Sequence, residues 1–266
     1  MAHFTLEPRG PFTLASTARF IAGWPPGQAD LNDGEVELNF LVDDWSGPAR
    51  VVLRQEGEAV HGTVEADNEA RAIAQAARIV SLDHDGSGYP EVGERDPIVG
   101  ELQRASGYLR PVLFHSPYEA AAWSVISART QHAQATKLRD ALSDGGIFPA
   151  PEQLLQLREL DGLPANKVPR LHGIAQAALE GRLDREPLLA ADTNEAFTQL
   201  LELPGIGPFY AGLILLRAVG TVDVAPKGEP KLERAVQARY GERIETVAER
   251  WKPFRTWVSV LMRSSA

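Results

Sequence analysis

The chain of 266 residues contains no cysteine, so it can form no disulfide, supply no thiolate nucleophile and hold no cysteine-ligated metal or iron–sulfur cluster. It also lacks any run of about 18 apolar residues, the length a membrane span needs. Its start, Met1-Ala2-His3-Phe4-Thr5, has neither the basic nor the apolar segment of a secretion signal. The expected location is the cytoplasm, with no membrane partner. Six histidines, His3, His61, His84, His115, His132 and His172, are scattered without ligand spacing, which argues against a zinc site. Positive charge is short as well: 27 Lys and Arg stand against 36 Asp and Glu, a formal charge of -9. That balance counts against a nucleic-acid partner, whose binding domains are usually basic. The deficit is local, however. Residues 1–112 hold 9 Lys/Arg and 18 Asp/Glu, while residues 113–266 hold 18 of each. A neutral half can still present a basic face, and binding through it would weaken steeply with salt.

The apolar fraction of 44% is ordinary for a soluble fold, and the length suffices for two compact units. Alternating residues over Glu35 to Val42, Ala49 to Gln55 and Val60 to Val64 predict three strands. Helical periodicity predicts helices over Leu14 to Ala22 and Glu69 to Ile79. From Pro117 onward the pattern is helical over 118–129, 131–143, 151–157, 166–181, 193–202, 208–219, 230–240 and 246–263, with Gly and Pro marking the breaks. The Asp- and Gly-rich stretch 83–90 reads as a loop between units. The expected class is α+β: an N-terminal antiparallel-sheet domain, 1–112, followed by an all-α domain, 113–266. Neither an internal repeat nor a low-complexity tract interrupts it.

The most informative segment is Leu203-Pro204-Gly205-Ile206-Gly207-Pro208-Phe209. A Pro-Gly-x-Gly step between two apolar helical segments makes a tight hairpin whose backbone can approach a partner closely. Amides at the start of the following helix suit an anion, and a phosphate contacted in this way fixes register without reading bases. A glycine-stopped helix followed by a proline-started one is the plainer reading of the same residues. Downstream, Asp223 to Pro230 runs as a loop into a helix with Pro230 in its first turn, and Glu229 is the carboxylate at the junction.

These residues resemble the helix-hairpin-helix DNA glycosylases, and within them the DNA-3-methyladenine glycosylase II family. Leu82-Asp83, Asp96-Pro97, Pro117-Tyr118-Glu119-Ala120, Leu160-Asp161-Gly162-Leu163-Pro164 and Trp251-Lys252-Pro253-Phe254-Arg255 are similar to that family's landmarks and follow its order. The resemblance spans roughly residues 80 to 263. It implies a base-excision repair enzyme acting as a monomer on duplex DNA with a damaged, alkylated base, with no required cofactor. It also implies a sodium or potassium ion at the hairpin, held by backbone carbonyls of which Leu203 and Ile206 are candidates. The hairpin residues Gly205, Ile206, Gly207 and Pro208 would grip the DNA backbone.

Breaking an N-glycosidic bond builds positive charge on the sugar, so a carboxylate must lie nearby and can orient or deprotonate a water. The resemblance assigns this role to Glu229, where the family has aspartate; the extra methylene moves the carboxylate, and a misplacement of about 1 Å can cost about 100-fold in rate. The same glutamate could instead be an acid favourably placed in a helix's first turn. At the position where bifunctional relatives carry a Schiff-base lysine stands Phe209, so hydrolysis by water is expected. Lys227 reads as a surface or phosphate-contacting residue. Arg129 falls where the family inserts an apolar wedge into the gap left by the extruded base; it would plug that gap, or pair with a phosphate or an acidic neighbour. His132, close to Arg129, would contact DNA or serve the helix alone. In the base pocket, Phe20 and Phe209 keep the expected aromatic character, whereas Leu213 and Arg263 replace aromatics. Fewer rings weaken stacking on a cationic base and Arg263 repels one, which moves the expected substrate towards a neutral lesion. Trp123, Trp251 and Trp257 read as core; Trp24 and Trp45 are open. The changes at Glu229, Arg129 and Arg263 also motivate a lesion-binding protein without turnover, and the acidic balance a protein-interaction module.

Overall fold

A computed structural model describes residues 1–23, 29–32 and 34–265; Trp24 lies outside them. The expected α+β class is present. Five strands form one antiparallel sheet in the order β1-β5-β4-β3-β2, comprising β1 (Ala2–Leu6), β2 (Ala29–Asn32), β3 (Glu35–Leu41), β4 (Pro48–Glu56) and β5 (Ala59–Glu65). Register is fixed by alternation: Val36, Leu38 and Phe40 of β3 and Val51 and Leu53 of β4 all point inward, and a one-residue slip would turn them to water. They bury against Leu14 and Ile21 of α1 (Leu14–Ala22) and Ala72, Ala76 and Ile79 of α2 (Glu69–Ile79). The three central strands match the expected ones. The two edge strands went unpredicted, because each edge is short and only one of its sides is paired.

Two further helices, α3 (Tyr89–Arg95) and α4 (Pro97–Ser106), occupy a region in which no helix was expected. Asp96 explains the Asp-Pro landmark. Its Oδ1 accepts the amides of Ile98 and Val99 at 3.2 and 3.3 Å, capping α4, while Oδ2 accepts the Tyr240 hydroxyl at 2.9 Å and the Trp251 indole at 3.3 Å. Burying that carboxylate is tolerable because its oxygens have partners. These helices share an apolar core with α12 (Pro230–Tyr240), α13 (Ile244–Val247) and α14 (Arg255–Ser264). The single helix expected over 246–263 is interrupted at Lys252–Phe254, since Pro253 cannot continue a helix.

A third core surrounds α5 (Pro117–Ser127), which is buried along nearly its whole length by α6 (His132–Leu142), α7 (Pro151–Leu154), α8 (Val168–Leu179), the unexpected short α9 (Arg185–Ala190), α10 (Thr193–Leu201) and α11 (Pro208–Ile214). Helix α11 passes into a π-type turn over Leu215–Val219 that ends at Gly220. Among the described residues no helix is long and apolar enough to cross a membrane.

Candidate active site

The hairpin joins α10 to α11. Leu203 and Ile206 turn their side chains into the core, and the Ile206 amide donates to the Leu203 carbonyl at 3.1 Å, closing the turn. Gly205 has φ +85°, and a Cβ there would lie 3.0 Å from Arg170 Cδ, so the bend needs glycine for its conformation. Gly207 differs: its φ is -101°, and a Cβ added to it would meet nothing within 4 Å. Pro204, Gly205 and Pro208 are exposed. The outer surface of the turn is therefore bare backbone that a flat or extended partner can approach. The Leu203 carbonyl, although engaged by Ile206, keeps a second lone pair.

Beside the hairpin opens a cavity of about 360 Å³. One wall is α11 and its π turn, with Phe209, Tyr210, Leu213, Leu216 and Arg217; another is the end of α5 and the following turn, with Trp123, Ser127, Thr130 and His132. The loop before α12 contributes Pro226, Lys227 and Glu229, and α14 contributes Thr256, Ser259, Val260 and Arg263. Loop and helix are tied together: Thr256 Oγ1 donates to the Val224 carbonyl at 2.8 Å, and Arg255 pairs with Asp223 at 2.8 Å. This is the local reason for the Trp-Lys-Pro-Phe-Arg landmark.

Glu229 stands both at a helix start and at the cavity wall. It is the N-cap of α12, its Oε2 accepting the Leu232 amide at 2.7 Å, and it also lines the cavity. The same Oε2 faces Arg263 Nε at 3.4 Å. Among the described residues no hydrogen bond engages Oε1. Phe209 is half exposed at the cavity and meets Tyr210 edge-on at 5.3 Å. Phe20 does not line the cavity; it stands behind Arg217, whose guanidinium lies 5.1 Å over its ring. Arg217 is buried and donates Nε and Nη2 to the Val112 carbonyl at 3.0 and 2.6 Å. Burial, followed by the positive charge of Arg263, pushes its guanidinium down to about 9.

Arg129 is exposed at φ +55°, a conformation strained for a side-chain-bearing residue. Its turn is bolted from behind by Lys167, which is buried and donates to the carbonyls of Ile126 and Ala128 at 2.7 and 2.8 Å and to Thr130 Oγ1 at 2.8 Å. Burial depresses the Lys167 amine, with the charge of Arg170 adding to the effect. The turn thus presents Arg129 outward while Ser127 and Thr130 face the cavity. His132 packs edge-on against Trp123, with ring centroids 5.6 Å apart.

Sequence reasoning brought Glu229, Phe209, Leu213 and Arg263 to one cavity but missed Tyr210, Arg217 and the cavity-facing side of Trp123. The signal was available in part, because Phe209 and Leu213 define a helical face that continues through Leu216 and Arg217. Trp45, left open, packs edge-on against Tyr118 at 5.4 Å. Among the described residues no cluster of three His, Asp or Glu could hold a metal ion.

No family model matches the chain. It is 27% identical over 154 residues to a DNA-3-methyladenine glycosylase of Bacillus subtilis, covering 52% of this chain and 51% of that protein. It is 31% identical over 114 residues to DNA-3-methyladenine glycosylase 2 of Escherichia coli, covering 41% and 40%. The fold superposes on the 3-methyladenine DNA-glycosylase from Archaeoglobus fulgidus with a TM-score of 0.78 at 21% identity, over 98% of this chain and 97% of that one. Over these stretches the chain is similar in sequence to DNA-3-methyladenine glycosylases, and its fold is that of the superposed glycosylase structure. It spans about half the length of the curated relatives it matches. A further solved relative, the Schizosaccharomyces pombe 3-methyladenine DNA glycosylase in complex with abasic DNA, superposes with a TM-score of 0.51 at 22% identity, covering 62% of this chain and 89% of that one.

Proposed function

We propose that this protein is a monofunctional DNA glycosylase of base-excision repair, acting as a monomer on duplex DNA and hydrolysing the bond between the sugar and an alkylated base. The observation that carries the reading is Glu229 in an apolar-walled cavity beside a bare-backbone hairpin. The hairpin, Gly205 to Pro208, would hold the phosphate strand by backbone amides, with a sodium or potassium ion on the carbonyls of Leu203 and Ile206 helping to seat it. Arg129, pushed outward by its strained turn, would fill the gap in the duplex. The extruded base would enter between Phe209, Leu213 and Arg263.

As the C1′–N bond breaks, the sugar becomes cationic, and the carboxylate of Glu229 stabilises it. A water attacks C1′ and passes its proton to Glu229, while the base leaves with the bonding electron pair. Phe209 offers no amine, so no covalent sugar–enzyme adduct forms by that route. The test is base release from alkylated duplex DNA by the parent and by Glu229→Gln, with binding to an abasic analogue measured in parallel. Release abolished by the substitution, with binding retained, is the expected outcome. Tight binding without release by the parent would mean a lesion-binding protein, and neither property would remove DNA from the reading.

A further inference from the structure

The cavity carries more positive than negative charge. Among the described residues lining it, Arg217, Lys227 and Arg263 are cationic, against Glu229 as a carboxylate. The negative charge of Glu229 is already faced by Arg263 at 3.4 Å. Arg217 lies deep enough, and close enough to Arg263, for its guanidinium to be destabilised by both burial and that neighbouring charge. Leu213, where a stacking ring would compensate a cationic guest, has no π face. A purine bearing a fixed positive charge would therefore enter a cavity whose balance of charge repels it, whatever stacking Phe209, Tyr210 and Trp123 offer.

Resting on the glycosylase reading, we propose that the site selects an electrically neutral damaged base, and that Arg263 is the residue setting this preference. The chemistry is complementary. A cationic base leaves as a neutral molecule and needs no help from a cation. A neutral base takes the C1′–N electron pair and leaves as an anion, which a guanidinium stabilises until solvent supplies the proton. Glu229 then serves the sugar while the adjacent Arg263 serves the base, the two charges lying side by side at 3.4 Å.

The test compares single-turnover release of 1,N6-ethenoadenine, a neutral base, and 7-methylguanine, a cationic one, from duplexes of the same sequence, with spontaneous release subtracted. Parent, Arg263→Gln and Arg263→Lys are measured together, and Arg263→Met supplies a second uncharged side chain in case one variant does not fold. The ratio of ethenoadenine to 7-methylguanine release should fall at least about fivefold in the uncharged variants and stay within about twofold of the parent in Arg263→Lys. An unchanged or rising ratio in the uncharged variants would overturn the proposal. Glu229-dependent release of 7-methylguanine alone by the parent would also overturn it while leaving the glycosylase reading intact. If the parent released neither base, both would fall.

Discussion

One oxygen of Glu229 answers to two partners: Oε2 caps α12 through the Leu232 amide at 2.7 Å and faces Arg263 Nε at 3.4 Å. The helix start and the guanidinium hold that oxygen, and among the described residues no hydrogen bond engages the other.

This division separates stability from turnover. Glu229→Gln keeps an oxygen for the Leu232 amide and should leave denaturant stability within about 0.5 kcal/mol of the parent while eliminating base release. Glu229→Ala removes the cap as well and should lower stability by about 1 kcal/mol. Urea titrations beside release assays would check both, and a Gln variant as active as the parent would refute the assignment.

The two hairpin glycines should respond differently. Gly205→Ala forces a side chain into φ +85° and against Arg170, so it should destabilise the fold by about 1 kcal/mol or more. Gly207→Ala meets open space at an ordinary φ and should leave stability unchanged or slightly raised, yet weaken binding to abasic-analogue DNA by interposing a methyl group. Equal DNA affinity in Gly207→Ala would remove the hairpin from the interface.

Lys167 supports the Arg129 turn from inside. Lys167→Met leaves the carbonyls of Ile126 and Ala128 without their donor and should cost about 1–3 kcal/mol. It should also weaken DNA binding more than Arg129→Ala does, because Ser127 and Thr130 move with the turn. Fluorescence anisotropy with both variants would decide.

Glu119 predicts an acid limit. It is buried with Arg139, which donates Nε at 3.0 Å, and faces His115 Nδ1 at 3.3 Å. Burial alone would raise its carboxyl, but the charges of Arg139 and His115, with the Arg139 hydrogen bonds, outweigh it and hold the group at about 2, below its ordinary 4.5. A carboxyl lowered on folding contributes stability that is complete above about pH 4.5 and fades as pH falls towards about 2. Glu119→Gln should lose about 3 kcal/mol near neutral pH, since Arg139 is left buried without a counter-charge, and the gap should narrow on acidification. A gap independent of pH would refute this account.

Much of the fold was legible because its signals are local. The inward alternation of Val36, Leu38 and Phe40 and the helical period of α2 each lie within a dozen residues, and both elements have the predicted bounds or nearly so. The edge strands and α3–α4 depend on partners distant in sequence: Ala2 pairs with Val64, and Asp96 with Tyr240 and Trp251. In the site, the loop motif and the resemblance together identified Glu229, and the resemblance placed Leu213. Arg217 continues the helical face of Phe209 and Leu213, but that period alone does not show a π-type turn carrying its buried guanidinium to the cavity wall.

The core shared by α3, α4 and the last three helices has a practical bearing. Tyr89 meets Trp257 edge-on at 5.1 Å, and Trp251 donates its indole proton to Asp96. Excising everything before residue 113 would strip both tryptophans of their cover and unseat α14, the helix that carries Arg263. The steadiness of the cavity is thus borrowed from far upstream, and a minimal fragment that keeps it would have to begin before Tyr89.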